Sequence, residues 1–211
     1  MSYIAVDVDG TLTRSNISFS FGRYMYKEGL ISFFDVIRCT GSYFLHTIGL
    51  LSMQRLHRSL FRPLFSGKRA EEIKKAADRF FEEKGKSLFR VAVVEEILLL
   101  QKEGARVVLL SSSPDFLVER VAHYIGVEEW SATEYVVEDK VFSKLGRIVT
   151  GSEKAKIAVD VHLREGSSIT VFTDSMLDLP LTQIADRVVV VSPNRKLLRL
   201  SKQKGWRVLN G

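Results

Sequence analysis

Short, mostly apolar runs alternate with longer stretches of helical spacing over the outer parts of this chain. Residues 3–8 (YIAVDV), 106–110 (RVVLL), 169–173 (ITVFT) and 187–191 (RVVVV) have the β-branched, near-continuous character of strands buried on both faces of a parallel sheet. Residues 90–103, 114–125, 152–164, 176–185 and 195–204 carry apolar side chains at helical spacing and predict helices. A hairpin is expected over 134–148 (EYVVEDKVFSKLGRI). This alternation implies an α/β fold built on a Rossmann-like, doubly wound parallel sheet.

Residues 16–88 break the alternation. Apolar stripes at helical spacing (SFFDVIRCTGSYFLHTIGLL) are followed by a strongly charged helix (KRAEEIKKAADRFFEEK), which predicts a helical insert after the first strand. The core is then expected to comprise residues 1–15 and 89–211, with 16–88 as a cap. Asp35, Arg38 and His46 interrupt the apolar stretch over 30–51 and argue against a membrane span. Phe33, Phe34, Tyr43, Phe44 and Phe65 are candidates for a substrate pocket, with packing inside the insert as the plainer expectation.

Composition adds limits. The chain has 211 residues, 45% of them hydrophobic, and one cysteine, Cys39, so no internal disulfide can form. The first apolar run already contains Asp7, unlike a secretory leader, so a reduced, cytoplasmic setting is expected. The net charge of +6 is uneven: residues 55–90 hold eleven Lys or Arg against five Asp or Glu, and residues 195–207 hold six basic residues and no acid. Such patches attract phosphate esters, nucleic acid or anionic lipid, although solvated helix faces have the same composition.

In an open parallel sheet, ligands bind where the strands deliver their carboxyl ends. The first strand delivers Asp7 and Asp9, two residues apart, followed by Gly10 and Thr11; the second delivers SSSPD, Ser111–Asp115. GSEK opens a helix and puts Lys154 in its first turn, and TDSMLD brings Asp174 and Asp178. Carboxylates gathered in one crevice repel unless a cation lies among them, and all-oxygen donors without His or Cys suit Mg²⁺. A lysine and hydroxyl donors beside that cation make a site for a phosphoryl group. The four histidines show no metal-ligand spacing.

The ordered set DVDGTLT, VVLLSSSPD, GSEK and FTDSMLDLP resembles the four motifs of the haloacid dehalogenase-like superfamily, across nearly the whole chain. The insert after the first motif resembles the superfamily's type 1 cap. TDSMLDLPLT followed by VVVVSPNRKLLRLSKQKGW is similar to the subfamily that includes phosphoserine phosphatase. The resemblance implies that Asp7 is the nucleophile and a Mg²⁺ ligand, and that Asp9 is the general acid and base, with its carbonyl on the metal. It implies Ser111 as the phosphoryl-binding hydroxyl, with Ser112 beside it, Lys154 as the balancing charge and Asp174 as a metal ligand. Asp178 would hold a metal-bound water or orient Lys154. Thr173 stands where the family commonly has Gly, so its side chain is expected to crowd the metal loop.

These features predict a Mg²⁺-dependent phosphatase acting on a small phosphorylated metabolite, with phosphoryl transfer to another acceptor as the alternative chemistry. A module that binds a membrane surface or nucleic acid through the basic insert is the alternative class, and the intact motif set argues against binding as the sole role. In phosphoserine phosphatase an acidic residue nine positions after the nucleophile binds the substrate amino group; here that position is the neutral Asn16. A larger or more apolar monoester than phosphoserine is therefore expected. Arg55, Arg58 and Arg62 share a helix face, from which Arg58 is a candidate to hold an anionic substrate tail.

Overall fold

A computed structural model describes residues 2–210. Its strands are β1 (Ser2–Asp7), β2 (Arg106–Pro114), β3 (Glu129–Thr133), β4 (Tyr135–Glu138), β5 (Val141–Leu145), β6 (Ser168–Thr173), β7 (Arg187–Val191) and β8 (Arg207–Leu209). Its helices are α1 (Ile17–Lys27), α2 (Phe33–Thr47), α3 (Met53–Leu64), α4 (Ala70–Leu88), α5 (Val91–Lys102), α6 (Asp115–Ile125), α7 (Gly151–Glu165), α8 (Leu179–Thr182) and α9 (Arg195–Lys204). Six strands form one parallel sheet in the order β3-β2-β1-β6-β7-β8, and β4-β5 is the expected hairpin.

The four strands expected from the sequence make up the middle of the sheet. Successive residues of β1 face opposite layers, as a pleated strand requires. Ile4 and Val6 pack with Val107, Leu109, Phe116 and Ile97 on one face, whereas Tyr3 and Ala5 pack with Val108, Leu110, Ala158 and Leu181 on the other. The edge strands β3 (EWSAT) and β8 (RVL) are short and partly polar, so no apolar run announces them. Strand β2 continues past 110 through Pro114, with a register shift between Leu110 and Pro114. The single helix expected over 176–185 is instead a 3₁₀ turn, Met176–Asp178, followed by the short α8, because Pro180 has no N–H and sits where a helix can begin but not continue.

Helices α1–α4 occupy the chain between β1 and α5. The outgoing and returning segments pair where they cross: Thr13 bridges Phe89, Arg14 N–H donates to Leu88 O at 2.8 Å and Arg90 N–H to Leu12 O at 3.0 Å. The turn between α3 and α4 is tied to the hairpin through Gly67 N–H on Phe142 O (2.9 Å) and Phe142 N–H on Lys68 O (3.0 Å). Phe65 is buried there in ring contact with Phe61, Phe116, Tyr135 and Phe142. Helix α2 differs from its neighbours in having no fully buried side chain. Phe33, Phe34 and Phe44, expected to line a pocket or pack inside the insert, do neither and are exposed. Among the described residues no helix is long and apolar enough to cross a membrane.

Candidate active site

Parallel register places the carboxyl ends of β1, β2 and β6 at one edge of the sheet: Asp7 lies beside Leu110, and Val6 beside Phe172. Asp7 therefore emerges between the start of SSSPD and the start of TDSMLD, at the floor of a cavity of about 1490 Å³. Lys154 projects from the first turn of α7 and is buried at 4% exposure. Its Nζ donates to Asp7 Oδ1 at 2.6 Å and lies 2.9 Å from Asp178 Oδ1. Burial alone would lower the ammonium's pKa, but Asp178 and Asp7 reverse this and hold it above the ordinary lysine value. For Asp7, burial pushes the carboxyl well above the usual range, Lys154 opposes it, and Asp178, Asp174 and Asp9 add to the rise.

The acids divide into two groups. Asp7 and Asp174 converge on one hydroxyl: Thr11 Oγ1 lies 3.1 Å from Asp7 Oδ2 and 3.1 Å from Asp174 Oδ1. That hydroxyl has a single proton and can satisfy one of the two. A cation between the carboxylates removes the conflict, and the oxygen-only donors suit Mg²⁺. Gly10 makes the approach feasible, since a Cβ there would lie 2.2 Å from Asp174 Oδ2 and the residue has φ of +85°. Burial also raises the pKa of Asp174, against the hydrogen bond from Thr11. Among the described residues no cluster of three or more His, Cys, Asp or Glu side chains forms a metal cage. A site of two carboxylates completed by main-chain oxygen, water and substrate is the arrangement Mg²⁺ takes.

The side chains of Asp9 and Asp178 bond to groups of the chain itself: the resemblance puts the Asp9 carbonyl, not its carboxylate, on the metal, and Asp178 lies on Lys154, one of the two roles expected for it. Asp9 Oδ1 accepts from Ile17 N–H (2.7 Å), and its Oδ2 accepts from Ser113 Oγ (2.6 Å) and Ser111 Oγ (3.0 Å). Burial raises its pKa, and the bonds from Ser113, Ile17 and Ser111 moderate the rise. Asp178 joins Lys154 to Thr173, whose Oγ1 donates at 2.8 Å. Thr173 also accepts from Ser175 N–H at 3.1 Å, so its hydroxyl braces the loop it was expected to crowd.

Of the other expected residues, Ser112 and Asn16 line the cavity, and Ser111 and Arg58 do not. Ser111 is fully buried and does not reach the cavity wall; its Oγ accepts from Ser113 N–H and donates to Asp9. Ser112 and Ser113 line the cavity instead. Asn16 lines it as well, but its Oδ1 caps α1 through Phe19 N–H at 2.8 Å. Arg58 is exposed and is not on the cavity wall, because the arginine face of α3 looks to solvent while Leu56, His57 and Leu60 turn inward. The sequence reading did not single out Thr11, Ser113 or Ser18, whose Oγ lies 2.6 Å from that of Ser113. Thr11 could have been noticed as the hydroxyl four residues after Asp7; Ser18 carries no local signal, because β2 and α1 meet only in the folded chain.

A profile of the haloacid dehalogenase-like hydrolases matches residues 4–183. The chain belongs to this family. A probable phosphatase of Mycobacterium tuberculosis is 21% identical over 210 residues, covering 97% of this chain and 73% of that protein. A Bordetella pertussis protein of unknown function has a related structure, with a TM-score of 0.89 at 16% identity, covering 99% of this chain and 97% of the other. A substrate-bound phosphoserine phosphatase superposes with a TM-score of 0.71 at 17% identity, covering 99% and 93%. The sheet order and the placement of Asp7 at its switch point are thus the haloacid dehalogenase-like architecture, and this hydrolase carries three of its motifs at strand ends and GSEK at the start of α7.

Proposed function

We propose that this hydrolase is a Mg²⁺-dependent phosphomonoesterase that passes through an aspartyl phosphate on Asp7. The observation that carries the reading is the buried Asp7–Lys154 pair at the floor of a deep cavity, with Asp9 held at its side by hydroxyls from β2. A carboxylate oxygen of Asp7 attacks phosphorus as the bond to the substrate oxygen breaks, and Asp9 gives the departing alkoxide its proton. Asp9 then takes a proton from water, which attacks the same phosphorus and returns Asp7 as a carboxylate. Lys154 offsets the charge of Asp7 and of the incoming phosphoryl group, and Asp178 and Thr173 fix the lysine's position. Asp7, Asp174 and the Asp9 carbonyl would hold Mg²⁺, which supplies positive charge to the phosphoryl group. The helical insert acts as a cap that limits water over the cavity.

The relative named a probable phosphatase supports the reaction class. The cavity supports a substrate beyond phosphoserine: Phe19, Tyr26, Tyr43, Leu56 and Leu60 line it, and no carboxylate takes the place of Asn16. The test is p-nitrophenyl phosphate hydrolysis, followed by a panel of phosphomonoesters. Turnover should vanish in EDTA and return with Mg²⁺, and Asp7→Asn should lower kcat by roughly a thousandfold or more. Metal-independent turnover, or near-native rates in Asp7→Asn, would overturn the reading. Phosphoserine giving the highest kcat/KM of the panel would overturn the substrate preference alone.

A further inference from the structure

Helix α2 is amphipathic the wrong way round for a part of the protein interior. Phe34, Ile37, Phe44 and Ile48 recur at helical spacing with Gly41 between them, and with Leu45 they make one continuous apolar stripe. That stripe faces solvent: Phe34 is 81% exposed and Phe44 61%, and the run continues over the turn to Leu50 at 70%. The opposite side, which carries Val36, Cys39, Tyr43 and His46, faces the active-site cavity. An exposed apolar surface of this continuity marks a surface that binds something.

Its charge says what. Between residues 33 and 64 the hairpin α2–α3 carries Arg38, Arg55, Arg58 and Arg62, and its only acid is Asp35. None of the four arginines has an ion-pair partner among the described residues, whereas on α4 Lys75 pairs with Glu71 and Arg79 with Glu28. Asp35 is committed to the capping box at the start of α2. Exposed arginines without ion-pair partners, on the same helical hairpin as an exposed apolar stripe, suit a surface that is negatively charged outside and hydrocarbon beneath. We infer that the α2–α3 hairpin docks this protein on an anionic lipid bilayer, with the apolar stripe in the headgroup boundary and the arginines on the lipid phosphates. The same helix forms the cavity wall on its other side, so the docked hairpin would lie between the bilayer and the active-site cavity.

The experiment is vesicle flotation with the full chain, which reads binding without turnover and so stands apart from the phosphatase reading. Vesicles of phosphatidylcholine with about one third phosphatidylglycerol should carry the protein, and phosphatidylcholine alone should carry far less, with binding falling as salt rises. Replacing Arg38, Arg55 and Arg62 by Gln should weaken partitioning on the order of a hundredfold. The double variant Phe34→Gln, Phe44→Gln should weaken it by roughly tenfold or more, because aromatic surface no longer enters the interface. Both variants should keep the wild-type melting temperature and p-nitrophenyl phosphate turnover, which shows that they are folded. Wild-type protein that fails to float with anionic vesicles, or variants that float as well as wild type, would overturn the inference. So would a dimer in light scattering that the Phe double variant dissociates, since the stripe would then be covered by a second copy.

Discussion

Replacing Lys154 by Met keeps the length of the side chain and removes its charge. In the folded chain the ammonium lies 2.6 Å from Asp7 Oδ1 and 2.9 Å from Asp178 Oδ1, and all three side chains are buried. Removing one partner of a buried ion pair leaves uncompensated charge, which costs about 3–5 kcal/mol, whereas an exposed pair is worth about 1 kcal/mol or less. The deficit should also depend on pH. Burial already holds the folded pKa of Asp7 above its unfolded value, and losing the Lys154 charge raises it further. Wild type shares the slope up to its own folded value, so the deficit grows only between the wild-type and variant folded values, where the variant alone keeps the extra proton and loses stability as pH rises. Wild-type Lys154 stays charged throughout, because its own pKa is raised. Urea unfolding in EDTA should therefore show the variant about 3–5 kcal/mol less stable at pH 7.5, and closer to wild type at pH 5. A deficit below about 1 kcal/mol, or one identical at the two pH values, would refute the reasoning.

Gly10→Ala puts a methyl 2.2 Å from Asp174 Oδ2 at a φ of +85°, so Asp174 must move; the Mg²⁺ concentration for half-maximal activity should rise by at least tenfold, and an unchanged Mg²⁺ titration would count against the shared Asp7–Asp174 site. His57 is buried with an unpartnered Nδ1, and burial, with a smaller contribution from His46, lowers its pKa to about 4. The unfolded chain binds a proton there below its ordinary value of 6.5 that the folded chain refuses, so stability is lost as pH falls from 6.5 to about 4. His57→Leu should remove up to about 3 kcal/mol of that acid sensitivity, measured as the difference between the two unfolding-versus-pH curves; parallel curves would show that His57 does not carry it.

The centre of this fold was legible in the sequence because the strands that form it are buried on both faces. Residues 3–8, 106–110, 169–173 and 187–191 need apolar side chains at nearly every position, whatever surrounds them. The acids were legible for a related reason: Asp7 is the last residue of β1 and Asp174 directly follows β6, where a parallel sheet presents its ligands. The edge strands were not, since a strand paired on one side can be short and polar.

What only the tertiary structure decided were choices between neighbours of equal chemistry. SSSPD contains three hydroxyls, and the folded chain turns Ser111 and Ser113 to Asp9 while Ser112 and Ser113 line the cavity. Thr173 could crowd or brace its loop, and its contact with Asp178 set the answer. The apolar stripe of α2 is plain in the sequence as a period, but a period states that one face is apolar and not what covers it. Packing against α3 and the cavity used the other face, and left Phe34 and Phe44 to the solvent.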